Sequence, residues 1–582
     1  MEKLFDFHFH LLFKHLITVN KAGKPFDLGE NVQTTGIAQL LNDIFGGPFD
    51  SQASPKMVSE SALRLGVIAL LSVEHAFANR ILHVLGANLS GVLPLDKQLF
   101  NQTRNGETTY YAEFKKQIDF HLTNAAKLSQ APYHIEYLNR AKWTNRAADD
   151  ITAQLETGDK RYFSFSIEGG HNLSDVPIRK TIPSRFPEVK LKELQDRTDI
   201  DFISINLSHL SYIPEQPLGG FAQGLNRTSQ VAFSSEDFMP KAGLGLTELG
   251  KKVVKQALTH PTKPILIDVK HMSVYTRLHY YRYREQLALL DPDVERLPIM
   301  TSHTGFTFYT LDDYLQNKRF RSATGSENGQ PISKVAPENR SIGRTNDIIN
   351  RGLFGNPWTI NLFDEEITEI MLSRGMIGIS LDQRILGASN PAVDSVRDRF
   401  FEEEYIARPE WEKMFRDGKV PGAAEGLFSG LAPSKEERHI MLLCLHLVHA
   451  ARVGYASLNW IENTSPWDHL CIGSDFDGLI NPINGFDNIL QLDKLRAQLQ
   501  KYLPYADKVL PFNPEHKALR YHDNGTLDAA FLKTAIDKFL FQNGLQFTVR
   551  FLQNWKDSGS NPGGSPDTVS TPNSAQPEPV LP

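Results

Sequence analysis

Cysteine is almost missing from this chain. Two residues, Cys444 and Cys471, among 582 exclude both a disulfide framework and a cysteine-rich metal site. An excess of one charge is missing too, with 62 Lys and Arg against 68 Asp and Glu and a formal net charge of -6. That balance leaves no basic face for nucleic acid and no acidic block for a solvating tail. No apolar run approaches the ~20 residues that cross a bilayer. The residues ahead of His8 are too few for a charged, apolar and cleavable leader. These absences lead us to expect a cytoplasmic protein with no nucleic-acid partner and no membrane anchor. Its partner would be a small-molecule or dipeptide substrate, and a homodimer is allowed.

What the chain does have is histidine, 19 in all, several of them closing apolar runs. Eight short β-rich segments recur, at 4–10, 65–72, 162–168, 202–209, 264–271, 297–303, 376–381 and 469–475. Several are apolar almost throughout, as strands buried on both faces are. Helical patterns lie between them. The run 246–260 opens on Thr247 as an N-cap and stops before Pro261. The run 364–374 starts acidic and stops at Gly375, and 436–458 is long and amphipathic. Alternating strands and helices predict a parallel sheet, and eight strands predict a closed (β/α)8 TIM-type barrel. Two stretches, 306–358 and 383–434, are long for loops and read as insertions. The hydrolase unit suggested by the arguments below would span 1–556. The Gly, Ser and Pro-rich segment 557–582 is expected to be a disordered tail.

Six of the eight segments end in a metal ligand or proton carrier: His8 and His10, Glu168, His209, His271, His303, and Asp475. In a barrel the strand C-termini converge on one face, where active sites are built. His8 and His10 share a strand face because side chains alternate, so two imidazoles can chelate one divalent ion. Asp6 has the same parity and could orient a ligand from behind. Glu168 is a carboxylate ending an apolar strand, costly to bury unless cations meet it, and its two oxygens can serve two ions. Asp475 and Asp477 flank Phe476 between glycines, and a carboxylate there could accept a proton from water. His439, His446 and His449 fall within one amphipathic helix and read as structural.

The strings SIEGGH, LIDVKHMS, SHTG and GSDFDG, with INLSH, GLTELGKKVV and NGLQFTVRFL, resemble segments of the membrane (renal) dipeptidase family in the same order. The likeness runs from about Leu4 to Leu552, broken by the insertions. It implies two divalent ions, zinc in that family, sharing a glutamate that falls on Glu168. One ion would take His8 and His10, the other His271 and His303. Asp475 would handle the proton of the attacking water, and His209 would contact substrate and the developing oxyanion. The implied activity is hydrolysis of a small amide or peptide bond.

Three departures stand out. The family has His-x-Asp on the first strand where this chain has His10, one negative charge fewer. Ile360 stands where the family's carboxylate-gripping arginine is expected, and Arg340, Arg344 and Arg351 in the insertion are the candidates to replace it. Lys270 precedes His271, and as its strand neighbour is expected to point away, leaving Glu168 as the bridge. A lactonase, esterase or cyclic amidase on the same site is the second reading. A non-catalytic barrel scaffold is the third.

Overall fold

In a computed structural model, all eight apolar segments form parallel strands. They are β1 (Leu4–Phe9), β2 (Leu63–Leu70), β3 (Arg161–Ile167), β4 (Phe202–Asn206), β5 (Leu266–Asp268), β6 (Met300–Thr304), β7 (Met376–Ile379) and β8 (Leu470–Ile472). The order around the sheet is β2-β1-β8-β7-β6-β5-β4-β3, and β3 pairs back onto β2 from Leu65–Tyr162 to Leu70–Ile167. The sheet is therefore a closed (β/α)8 barrel. Its first and last strands meet at Asp6 opposite Ile472. A further strand, Ile135–Tyr137, lies outside the ring against β3. The structure describes residues 2–20, 23–34, 39, 49–84, 95–179, 184, 186–223, 236–241, 245–315, 320–327, 330–337, 356, 358–387, 404–407, 435–460, 464–510 and 512–556. Arg340, Arg344, Arg351 and the segment 557–582 lie outside these residues.

The strands are buried nearly from end to end because helices cover the ring outside and side chains fill it inside. The covering helices include α1 (Tyr110–Leu128), α2 (Glu248–Leu258), α3 (Val274–Leu290), α4 (Asp364–Leu372), α5 (Lys435–Ser457), α6 (Leu495–Val509) and α7 (Asn543–Leu552). Thr247 caps α2 as expected, its side chain accepting from Gly250 N. Helix α4 begins with three acidic residues, which suits the positive end of its dipole. Its end differs from the expectation. Arg374, not Gly375, holds the left-handed position, at φ 56°. Gly375 is needed for space instead, since a Cβ there would lie 1.8 Å from Ile299 O.

Helix α5 also corrects the sequence reading. By length and composition Glu436–Ser457 is apolar enough to cross a membrane, but most of that window is buried inside the protein. Its histidines act structurally, as expected. His446 Nδ1 accepts from Phe306 N at 3.0 Å, His439 Nδ1 accepts from Asn484 N at 2.9 Å, and His449 Nε2 lies 2.7 Å from Asp364. The two predicted insertions are joined to each other. The hairpin Phe320–Glu327 and Gln330–Pro337 pairs antiparallel with Glu404–Ala407 from the second stretch.

Candidate metal centre

Every strand-end residue singled out in the sequence arrives at one end of the barrel. Glu168 follows β3 directly and is 2% exposed. His8 Nε2 lies 3.3 Å from its Oε1, and His10 Nε2 lies 3.3 Å from its Oε2. From the other side, Oε1 is approached by His271 Nε2 at 3.5 Å, His209 Nε2 at 3.6 Å and His303 Nε2 at 3.9 Å. His271 and His303 bring their Nε2 atoms to 3.1 Å of each other. Asp475 completes the ring. Its Oδ1 is 3.3 Å from His10 Nε2, and its Oδ2 is 3.9 Å from His303 Nε2.

These atoms fit a pair of cations better than they fit one another. Three overlapping groups, His8/His10/Glu168, Glu168/His209/His271 and His8/His303/Asp475, hold their ligand atoms within 4.8 Å. Buried His8 Nδ1 and Nε2, His10 Nδ1, Glu168 Oε2 and His271 Nδ1 have no hydrogen-bond partner. Buried polar atoms are ordinarily paired, and of these orphans His8 Nε2 and Glu168 Oε2 are the ones that face the centre, where a cation would complete them. Burial pulls the His271 imidazole down to about 3, and burial with the charges of His8, Lys270 and His271 holds His303 well below the usual range. Neutral imidazoles are the ligating form. Burial alone would raise Glu168, but His8, His209 and His10 hold it well below the carboxylate range.

Local backbone aims these side chains. His271 and Asp475 adopt left-handed conformations, φ 69° and 64°, which non-glycine residues rarely take and which cluster at functional sites. Asp475 N donates to His8 O at 2.8 Å, and His10 N donates to Phe476 O at 2.8 Å, so the loop after β8 is stitched to β1. Asp6 does not orient an imidazole as the sequence suggested. It accepts from Ser474 N at 2.9 Å and from His8 N at 3.2 Å, so it clasps the backbones that carry His8 and Asp475. Burial pushes its carboxyl up to about 6 against those hydrogen bonds. Lys14 Nζ meets Asp477 Oδ1 at 3.0 Å, and Gln52 exchanges hydrogen bonds with the backbone and carboxylate of Asp477. Asp477 therefore braces the loop and does not enter the site.

Two residues escaped the sequence reading. Glu74 Oε1 lies 2.6 Å from His209 Nδ1 and accepts from Leu210 N at 3.1 Å, and its other oxygen accepts from Ser211 Oγ. Burial would lower His209, but Glu168 and Glu74 outweigh it and hold the imidazole up at about 9. Glu74 itself, raised by burial, is brought to about 2 by that imidazole. Glu74 stands just past the end of β2, so the rule that found the other residues applies to it as well. His171 stacks on His209, their ring centroids 6.3 Å apart. Lys270, weighed in the sequence, lies past the end of β5 at Asp268, and its Nζ is buried with no hydrogen-bond partner among the described residues. Burial pulls its amine down to about 8, while the charges of Asp475, Asp382 and Asp268 raise it. Its own charge lowers His271 and His303.

Ile360 packs with Ala222, Trp358 and Ile385 in an apolar cluster. Ala222 N donates to His271 O at 2.7 Å, so that cluster begins beside a candidate ligand.

No family model matches the chain, and no curated protein matches it. Three solved structures are similar to it along most of its length. The dipeptidase AC, a metallopeptidase of family M19, is 12% identical with a TM-score of 0.40, covering 95% of this chain and 99% of its own. A metallopeptidase from Rhodobacter sphaeroides, bound to a phosphinate mimic of the dipeptide L-Ala-D-Ala, is 12% identical with a TM-score of 0.41, covering 94% and 98%. The probable dipeptidase PvdM from Pseudomonas aeruginosa is 15% identical with a TM-score of 0.45, covering 95% and 96%.

Proposed function

We propose that the chain is a metal-dependent hydrolase that cleaves a small amide or peptide bond, as a dipeptidase does. The observation that carries this reading is the ring of His8, His10, His271 and His303 around one buried carboxylate, Glu168, with Asp475 facing it. His8 and His10 would hold one divalent cation, His271 and His303 a second, and Glu168 both. Cations held there, zinc by the chemistry of the donor set, supply Lewis acidity toward water and toward a substrate carbonyl.

The chain's own residues divide the remaining work. Asp475 is 14% exposed and so open to the mouth. Its carboxylate takes the proton of the attacking water and passes it to the leaving amine. His209, fixed at Nδ1 by Glu74, presents Nε2 to the centre. Held protonated by two carboxylates, it donates from Nε2 to the carbonyl oxygen as negative charge develops there. The apolar cluster of Ala222, Trp358, Ile360 and Ile385 favours a second reading, a lactone or cyclic amide substrate with an apolar body.

The test is elemental analysis of the purified chain, followed by a screen of L,L and L,D dipeptides with lactones included. Two zinc ions per chain and peptide cleavage are expected. Asp475→Asn should keep its metal while kcat falls on the order of 10²–10⁴, the range of a positioned proton carrier. A chain without metal, or an Asp475→Asn enzyme of normal turnover, contradicts this assignment.

A further inference from the structure

A substrate carboxylate entering this mouth meets carboxylates first, since Glu168 and Asp475 stand there. Some cation must receive it, because an unpaired buried anion is strongly unfavourable. The described cations nearby are nearly all engaged. Arg277 is spent on Glu366, at 2.6 Å and 2.8 Å, and on the carbonyls of Met272, Thr359 and Asn361. Arg384 grips Asp382 through Nε at 2.8 Å. Lys14 is held by Asp477 at 3.0 Å. Lys270 differs from them. It is 2% exposed, its Nζ has no hydrogen-bond partner among the described residues, and it directly precedes the candidate ligand His271, its backbone N–H held by Asp268 Oδ1 at 3.0 Å. A buried ammonium with three idle donors is costly unless something completes it.

We propose that Lys270 is the binding residue that receives a carboxylate of the substrate, beside the metal centre. The proposal rests on the hydrolase reading of this site. It assigns to the barrel wall the role that the arginines of the insertion would otherwise fill. It also selects the peptide over the lactone, since a lactone brings no carboxylate to the enzyme.

The test uses the full zinc-loaded chain as wild type, Lys270→Met and Lys270→Arg. Lys270→Gln replaces the Met variant should that one not fold. Binding of N-acetyl-D-alanine and of N-acetyl-D-alaninamide is measured by calorimetry, and KM is measured for the best dipeptide and its C-terminal amide. The wild type should prefer the acid. Lys270→Met should weaken acid binding on the order of 10- to 100-fold, as loss of a charge-assisted pair does. The amide should be unaffected, Lys270→Arg should recover part of the loss, and zinc content should match the wild type throughout. Equal weakening of acid and amide, no acid preference in the wild type, or loss of zinc from the variants each overturns the proposal. A wild type that takes up no zinc instead sinks the hydrolase reading, and acid against amide on that protein still decides Lys270.

Discussion

Glu168 is approached by five imidazoles. Because this one carboxylate lies within reach of both histidine pairs, Glu168→Ala should remove both ions together, not one. Metal analysis of that variant checks this, and retention of one ion per chain would mean that the sites are held independently. Glu74 acts on the reaction only through His209. Its removal in Glu74→Gln takes away one of the two carboxylates that keep the imidazole at about 9. The active form carries the proton, so activity is lost as pH rises through that value. In the variant the alkaline limb should move down toward the ordinary imidazole range, about 6.5, with zinc content unchanged. A pH–rate profile measures it, and an unmoved limb would falsify the role given to Glu74. At this scale the sequence was legible where a side chain's position alone was needed. His8, His10, Glu168, His271 and His303 follow from strand ends. The alternation used for Lys270 does not extend to it, because β5 ends at Asp268, and nothing local announces that His271 is left-handed.

The strands impose their own demands. Between β7 and β8 the backbones of Gly378 and Gly473 approach so closely that a Cβ on Gly473 would lie 1.9 Å from Ser302 O and 3.2 Å from Gly378 Cα. Neither neighbour can yield, since both are backbone inside the ring. Gly473→Ala should therefore destabilise the fold by roughly 1–3 kcal/mol or more, as overpacking does. Thermal unfolding would show it as a drop of several degrees, and an unchanged melting point would mean that the strands have slack to separate. The strands were legible because several are apolar almost throughout, a run with few other uses, and the rest recur between helical patterns and close on a ligand-type residue. Their ends were not. β5 spans only Leu266–Asp268, since the chain turns after it to bring His271 to the centre. Helix α4 likewise stops short of its glycine, because Gly375 was conserving space beside Ile299 and not bending the chain.

Over the whole molecule, acid is the expected weakness. His121 and His446 are buried and far from the metal ligands in role, and burial pulls each from 6.5 down to about 3. The unfolded chain binds protons below about pH 6.5 that the folded chain refuses, so stability is complete above that pH and is lost as pH falls toward 3. At pH 5 each imidazole should cost about 2 kcal/mol. Denaturant unfolding across this range should show the loss, and His446→Gln should flatten part of it. A slope identical to that of the wild type would place the acid sensitivity elsewhere. The pairing of the two insertions was the least legible feature. Strand Glu404–Ala407 finds its partner Gln330–Pro337 across the intervening α4 and β7, and no local pattern carries a contact of that separation.

The seam of the barrel has a consequence for how the protein is made. β1 closes against β8, so His8 and His10, emerging from the ribosome first, wait for Asp475 near the other end of the chain. A nascent chain that has delivered His8, His10 and Glu168 already owns a chelating set but no ring to fix its geometry. Until Leu470–Ile472 docks beside Asp6, any ion it captures is held loosely and can be exchanged. On the metal-binding reading, completion of the last strand is therefore the step that would fix the ligand geometry, and with it the preference among ions.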